Sequence, residues 1–174
     1  MMETFAAAKP LEDNPHFASQ RKRRLDGLDK ALIDAPMRPL IQRLNELPFC
    51  FTLQCCWGHF VYAGQDDPHH LQPLPTAVIT TDITYRIAYL ALCIELSAKG
   101  RALLETLARV PFLDPANIQF GSPEWFWQQQ VNSYALQIEP ERFKNQDQAQ
   151  LNYAEALRIE ALRNRFFKRL AEVV

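Results

Sequence analysis

From Phe49 to Leu53 apolar side chains alternate with smaller or polar ones. Gln54-Cys55-Cys56-Trp57-Gly58-His59 follows without a gap, and Phe60-Val61-Tyr62 then resumes an extended pattern. A period of two sends successive side chains to opposite faces of a sheet. The stretch therefore predicts a half-buried strand that ends in a tight turn at Gly58 and leaves the turn still extended. A chain with such a bend flanked by helical patterns must build a sheet and cover it with helices. Cys55, Cys56 and His59 are then displayed at or near the bend, where a strand end holds them rigidly.

The remaining segments supply the cover. Asn14-Pro15 reads as a helix start, and Phe17, Leu25, Leu28 and Leu32 share one face, which predicts a helix from about Pro15 to Ile33. Pro36 and Pro39 interrupt it, and Leu40, Ile41, Leu44 and Leu47 mark a shorter helix that Pro48 ends. Gly64 to Pro75 carries Asp66-Asp67, His69-His70 and three prolines, and reads as a loop of the length used for lids and binding loops. Tyr85 to Leu96 is rich in β-branched and aromatic residues and predicts a central strand, although its Ala and Leu content also permits a buried helix. Ser97 caps a helix that Pro111 stops, Ile118 and Phe120 give a short strand closed by Gly121, and Ser122-Pro123-Glu124 starts a helix toward Trp125 and Trp127. Tyr134, Leu136 and Ile138 alternate as a strand. The last and longest helix is expected from about Asp147 to Ala171, with Leu151, Ile159, Leu162, Phe166 and Leu170 in one arc.

Strands interleaved with helices over 174 residues predict one α+β domain, 1–174, with one mixed sheet packed against several helices and a long C-terminal helix. Met1 to Asp13 has no periodicity and reads as a loose N-terminal arm.

Composition narrows the function classes. A net charge of −1 argues against wholesale electrostatic capture of nucleic acid, yet leaves a local basic cluster at Arg21-Lys22-Arg23-Arg24 that is either a solvated helix face or an RNA contact. The five glycines form neither a dinucleotide fingerprint nor a phosphate loop. No apolar run reaches the roughly 18 to 20 residues of a membrane span, and no secretory leader is read at the N-terminus. Two of the four cysteines are adjacent and the others sit in apolar runs, so reduced thiols and a cytoplasmic location are expected.

The thiol and imidazole cluster admits three readings. Cys56 and His59, separated by two residues, can reach one metal ion such as zinc, with His69 or His70 completing the set. Cys56 beside His59 can instead be a nucleophile with a lowered pKa. Or Cys55 and Cys56 are small core residues, Gly58 a turn residue and His59 a hydrogen-bonded packer. Trp57, Trp125, Phe126 and Trp127 offer stacking surfaces for a base or an adenine ring, or fill the core.

Read together, Phe17, Arg21-Lys22, Leu25, Leu28, Pro39-Leu40-Ile41, Leu44-Asn45 and Phe51-Thr52-Leu53-Gln54-Cys55-Cys56-Trp57-Gly58-His59 resemble the N-terminal part of the tRNA wybutosine-synthesising methyltransferase family. Thr52, Cys56 and Gly58 fall on the Thr, Cys and Gly of its Ser-Ser-Cys-Ser-Gly-Arg region. Cys55 replaces the second Ser and His59 the Arg. The resemblance covers about residues 17 to 62. It implies a ligand pocket near the Cys-Gly turn, with S-adenosylmethionine as cofactor and a tRNA nucleoside as substrate. Cys56 and His59 are then the expected catalytic residues, Thr52, Cys55 and Gly58 the cofactor contacts, and Arg21 to Arg24 the tRNA contact. Two other classes stay open: a non-catalytic metal- or small-molecule-binding protein, and a homodimeric interaction protein built on the C-terminal helix.

Overall fold

The apolar run around residue 90 is extended backbone, as its β-branched and aromatic content predicts, but it forms two strands. In the computed structural model, which describes residues 7–143 and 146–174, these are β3 (Ile83–Arg86) and β4 (Ala88–Ile94). Ile87 breaks the ladder between them and donates its backbone N–H to Asp147 instead. The two pieces join different sheets. The larger sheet has the order β1 (Cys50–Cys56), β4, β6 (Ser133–Ile138), β5 (Ile118–Gly121), and the smaller the order β2 (His59–Val61), β3, β7 (Gln148–Leu151).

The α+β class stands, and the one mixed sheet is corrected to two antiparallel ones. The physical reason lies at two corners. The chain changes sheets at Trp57-Gly58, between β1 and β2, and again at Ile87, between β3 and β4. Such bends let strands cross from one packed sheet to another.

Helices α1 (Phe17–Asp26), α2 (Arg38–Glu46), α3 (Ala98–Ala108), α4 (Glu124–Gln129) and α5 (Tyr153–Val173) cover the sheets. The first ends at Gly27, short of Ile33, and residues 30–32 form a separate 3₁₀ turn capped by Asp29. The last begins later than Asp147 because 148–151 pairs with β3 as β7, after which Asn152 accepts from the Glu155 N–H and caps the helix. Ser97 caps α3 through the Gly100 N–H, as its position predicts. Residues 7–13 form no regular element but are fastened: the Asn132 side chain bonds both the N–H and the C=O of Glu12, and Lys9 pairs with Glu124. Residues 1–6 of the expected arm lie outside the described residues.

One face of the larger sheet is the core. Leu90, Leu92, Ile94, Tyr134, Leu136 and Ile138 pack there against Leu40, Ile41 and Leu44 of α2, Leu103 and Leu107 of α3, and Ile159, Leu162, Phe166 and Leu170 of α5. The opposite face is covered only in part. Phe17 of α1 sits on Phe51 and Cys93, while Ala91 and Ala135, directly opposite one another across β4 and β6, carry Tyr89, Leu53 and Phe126 among the described residues.

Leu90 is fully buried at the middle of the central strand. Truncation there removes methyl groups and leaves a cavity, so Leu90→Ala is expected to lower the unfolding free energy by roughly 2–5 kcal/mol. Leu32→Ala, at a side chain 84% exposed, should cost under about 0.5 kcal/mol. Urea denaturation of both variants checks the contrast.

Candidate functional site

The strand that carries the thiols is bulged at Leu53: Thr52 lies opposite Leu92, and the next registered pair is Gln54 with Ala91. Without that extra residue Gln54 would face Leu90 in the core and Cys55 would face outward, since a slip of one residue exchanges the two faces of a strand. With it, polar Gln54 lies exposed on the open face, Cys55 turns toward the core opposite Leu90, and Cys56 pairs with Tyr89 at the strand end.

The turn beyond is fixed from both sides. Gly58 has φ of 87°, and a Cβ there would lie 2.7 Å from the Cβ of Ala88, so only glycine fits. Its carbonyl accepts from Nη1 of Arg163 at 2.9 Å. That arginine, on α5 and only 6% exposed, lies over the rings of Trp57 and Phe60, and Trp57 stacks on Phe167 with centroids 4.7 Å apart. Burial lowers the pKa of Arg163, and ring faces and amide oxygens take the place of water around it.

Three side chains converge at this turn: Cys56, His59 and Asp34, the last from the segment between α1 and α2. One donor atom of each lies within 4.8 Å of the other two. His59 donates Nδ1–H to the carbonyl of His69 at 2.8 Å, because a carbonyl can only accept, and its Nε2 lies 3.1 Å from Asp34 Oδ2. Backbone N–H groups of the turn complete the pattern. Trp57 donates to Asp34 Oδ2 at 2.8 Å and Gly58 to Cys56 Sγ at 3.4 Å.

The electrostatics follow from these contacts. The bond to Asp34, and after it Cys56, pushes the His59 imidazole up to about 10. Burial alone would raise the Asp34 carboxyl, but the bonds from His59 and the Trp57 N–H hold it below the ordinary carboxylate value. The two shifts together favour a charged imidazole facing an ionised carboxylate. It is not arranged as a thiol–imidazole–carboxylate relay, which needs the carboxylate on one ring nitrogen and the thiol on the other. Here one nitrogen is held by a backbone carbonyl and the other faces the carboxylate.

The other expected residues are distributed around the site. Thr52 is buried, with Asn45 bonding both its N–H and its hydroxyl. Cys55 is pushed up to about 12, chiefly by burial, which disfavours a thiolate there. His70 bonds Gln65 through its ring, and His69 contributes its carbonyl to the cluster; neither ring supplies the third donor. Of the basic cluster, Arg21 donates to the carbonyls of Cys50, Asn45 and Leu47, Lys22 pairs with Asp26, Arg24 bonds the Thr52 carbonyl, and Arg23 is exposed.

Two open clefts meet at the β1 side of the larger sheet, the larger on its partly covered face and the smaller at the outer edge of β1. The larger, about 490 Å³, is lined by Tyr89, Trp125, Phe126, Ala135 and Gln137 among others, and the smaller, about 320 Å³, by Arg24, Asp29, Thr52, Leu53 and Cys55. Gln54 and Tyr89 line both, and the Tyr89 hydroxyl donates to the Gln54 side chain at 3.1 Å. Ala135 lines the larger cleft beside the rings of Tyr89, Trp125 and Phe126.

No family model and no curated protein matches the sequence. Among solved structures the chain is similar to that described as the PH1069 protein from Pyrococcus horikoshii, at 12% identity and a TM-score of 0.52, over 91% of this chain and 92% of that one. The likeness is one of fold.

Asp34 and Arg163 were not singled out by the sequence. Asp34 stands two residues before Pro36 in a stretch with no periodicity, and Arg163 is one basic residue among several on α5.

The pH dependence of stability has a defined sign. His59 is raised above its unfolded value near 6.5, so its contribution is complete below about pH 6.5 and lost as pH rises through about 10. Asp34 is lowered, so its contribution is present above about pH 4 and lost as pH falls through its folded value. The groups facing the imidazole are Asp34, Cys56 and the His69 carbonyl. In chelator-treated protein, Asp34→Asn is expected to destabilise by about 1–3 kcal/mol near pH 6, with the deficit shrinking toward pH 10. Denaturant unfolding at both pH values reads it.

Proposed function

We propose that the chain is a cytosolic, methyltransferase-like protein that binds S-adenosylmethionine in the trough formed by the two clefts and acts on a nucleoside of tRNA. The observation that carries this reading is the junction of the clefts at Gln54 and Tyr89. An elongated ligand with an aromatic end and an amino-acid end suits that shape. The adenine lies between Tyr89, Phe126 and Trp125, where ring faces stack on any base. The methionine end lies in the smaller cleft, where Arg24 and Asp29 offer opposite charges to its carboxylate and ammonium groups.

The resemblance to the wybutosine family supports the same ligand, and Thr52, at its Thr position, and Cys55, at its second Ser, line the smaller cleft. Methyl transfer needs an acceptor and the donor methyl aligned in a site that excludes water, so positioning supplies most of the catalysis and no strong base is required. Arg23 and Arg24 line a third cleft beside the smaller one, with Gln20, Phe51 and Gln130. In this reading the exposed Arg23 meets an RNA phosphate, since Arg24 faces the methionine carboxylate and Arg21 is held by backbone carbonyls. Four free cysteines suit a reducing compartment.

Calorimetry tests the reading. S-adenosylmethionine and S-adenosylhomocysteine are expected to bind the wild type at micromolar concentration. Trp125→Ala, at a side chain 48% exposed, should leave stability within about 0.5 kcal/mol of the wild type and weaken binding about tenfold, for the loss of a stacking partner. No heat and no thermal shift at millimolar ligand would overturn it.

A further inference from the structure

We propose that Asp34, Cys56 and His59 form a binding site for one divalent transition-metal ion, with zinc the best match to a mixed oxygen, sulfur and nitrogen donor set. The proposal is independent of the cleft and its ligand. It rests on how the three side chains are held.

The first support is convergence. A tetrahedral zinc ion keeps neighbouring N, O and S donors roughly 3.3 to 3.6 Å apart, and His59 Nε2 and Asp34 Oδ2 already stand 3.1 Å apart, with the Cys56 sulfur inside the same 4.8 Å cluster. Three donors from three separate places in the chain meet there: the segment before α2, the end of β1 and the start of β2. Two of them carry negative charge when bound to a metal, which offsets most of a divalent charge without bringing in further groups.

The second support is the outer layer of hydrogen bonds. A metal-bound histidine almost always gives its other ring N–H to a carbonyl or carboxylate, which fixes the tautomer and aims the free nitrogen. His59 does this with the His69 carbonyl at 2.8 Å. Metal-bound carboxylates are hydrogen-bonded in turn, and the Asp34 oxygen nearest His59 accepts from the Trp57 N–H, while the Cys56 sulfur accepts from the Gly58 N–H. Each of the three candidate ligands thus has a backbone partner. These contacts orient donors toward a common point, which a histidine filling space in a core does not require.

The third support is access. The side chains of His59 and Asp34 are 15% and 22% exposed, so the cluster is sheltered but open to solvent. Three protein ligands leave one tetrahedral position for water or another small ligand, as in zinc sites that do chemistry.

The test uses untagged, full-length protein stripped with chelator and dialysed. Cobalt(II) chloride is expected to bind at one equivalent and give a near-ultraviolet thiolate-to-cobalt charge-transfer band, which zinc chloride abolishes by displacement. Cys55→Ser should keep the band and Cys56→Ser lose it, and Asp34→Asn should weaken cobalt affinity at least tenfold. Zinc should also protect Cys56 from iodoacetamide, read by peptide mass spectrometry on the wild type, so the result does not depend on any variant folding. Wild-type protein with no thiolate band, a band that survives Cys56→Ser in folded protein, or Cys56 alkylated equally fast with and without zinc would overturn the proposal.

Discussion

A left-handed glycine at position 58, wedged against Ala88 and held by a buried arginine, is the constraint on which this structure turns. With φ of 87° it takes the chain out of one sheet and into the other within two residues. The Arg163 guanidinium then locks the Gly58 carbonyl to α5, and the rings of Trp57 and Phe60 cover the charge. Burying an arginine is costly unless its donors and its charge are both matched. A carbonyl, the Asn164 side chain and two ring faces supply the match. Arg163 thereby anchors the peptide that leaves the turn, while the N–H groups of Trp57 and Gly58 just before it bond Asp34 and Cys56.

The bulge at Leu53 is the companion constraint. It adjusts β1 so that a polar residue meets the open face and a thiol meets the core, and it leaves Gln54 where two clefts join. The clefts themselves arise from residue size. Ala91 and Ala135 oppose each other as small side chains, and Leu53, Tyr89 and Phe126 pack against them. A sheet face with large side chains at those two positions would pack under α1 and α4 and leave no hollow.

Much of this was legible in the sequence because it is local. The alternation from Phe49, the glycine turn, the Ser97 cap and the proline-bounded helices are each set by neighbours within a few residues, and they form where the pattern places them. What was not legible depends on partners far away in the chain. Gln148 to Leu151 reads as the first turn of the last helix because Leu151 falls on its apolar arc, yet it pairs with β3 as an edge strand. Tyr85 to Leu96 carries one continuous apolar signal, and only the demand of two sheets for one strand each divides it at Ile87. Arg21, the first residue of a basic run, points inward to three carbonyls at the end of α2 and the start of β1, a role that charge counting cannot distinguish from a solvated face.

The candidate site divides the same way. Cys56 and His59 were visible because a turn brings residues three apart to one side, and their neighbours in sequence supply the two N–H donors. Asp34 was not, since it arrives from a segment with no periodicity, between α1 and α2, and meets its partners, Trp57 and His59, more than twenty residues away. Yet it is Asp34 that changes the chemistry of the pair. A thiol and an imidazole alone share a proton between them. Once a carboxylate faces the imidazole nitrogen that the His69 carbonyl leaves open, the charged imidazole is favoured, and the backbone N–H groups of the turn hold the carboxylate and the thiol beside it.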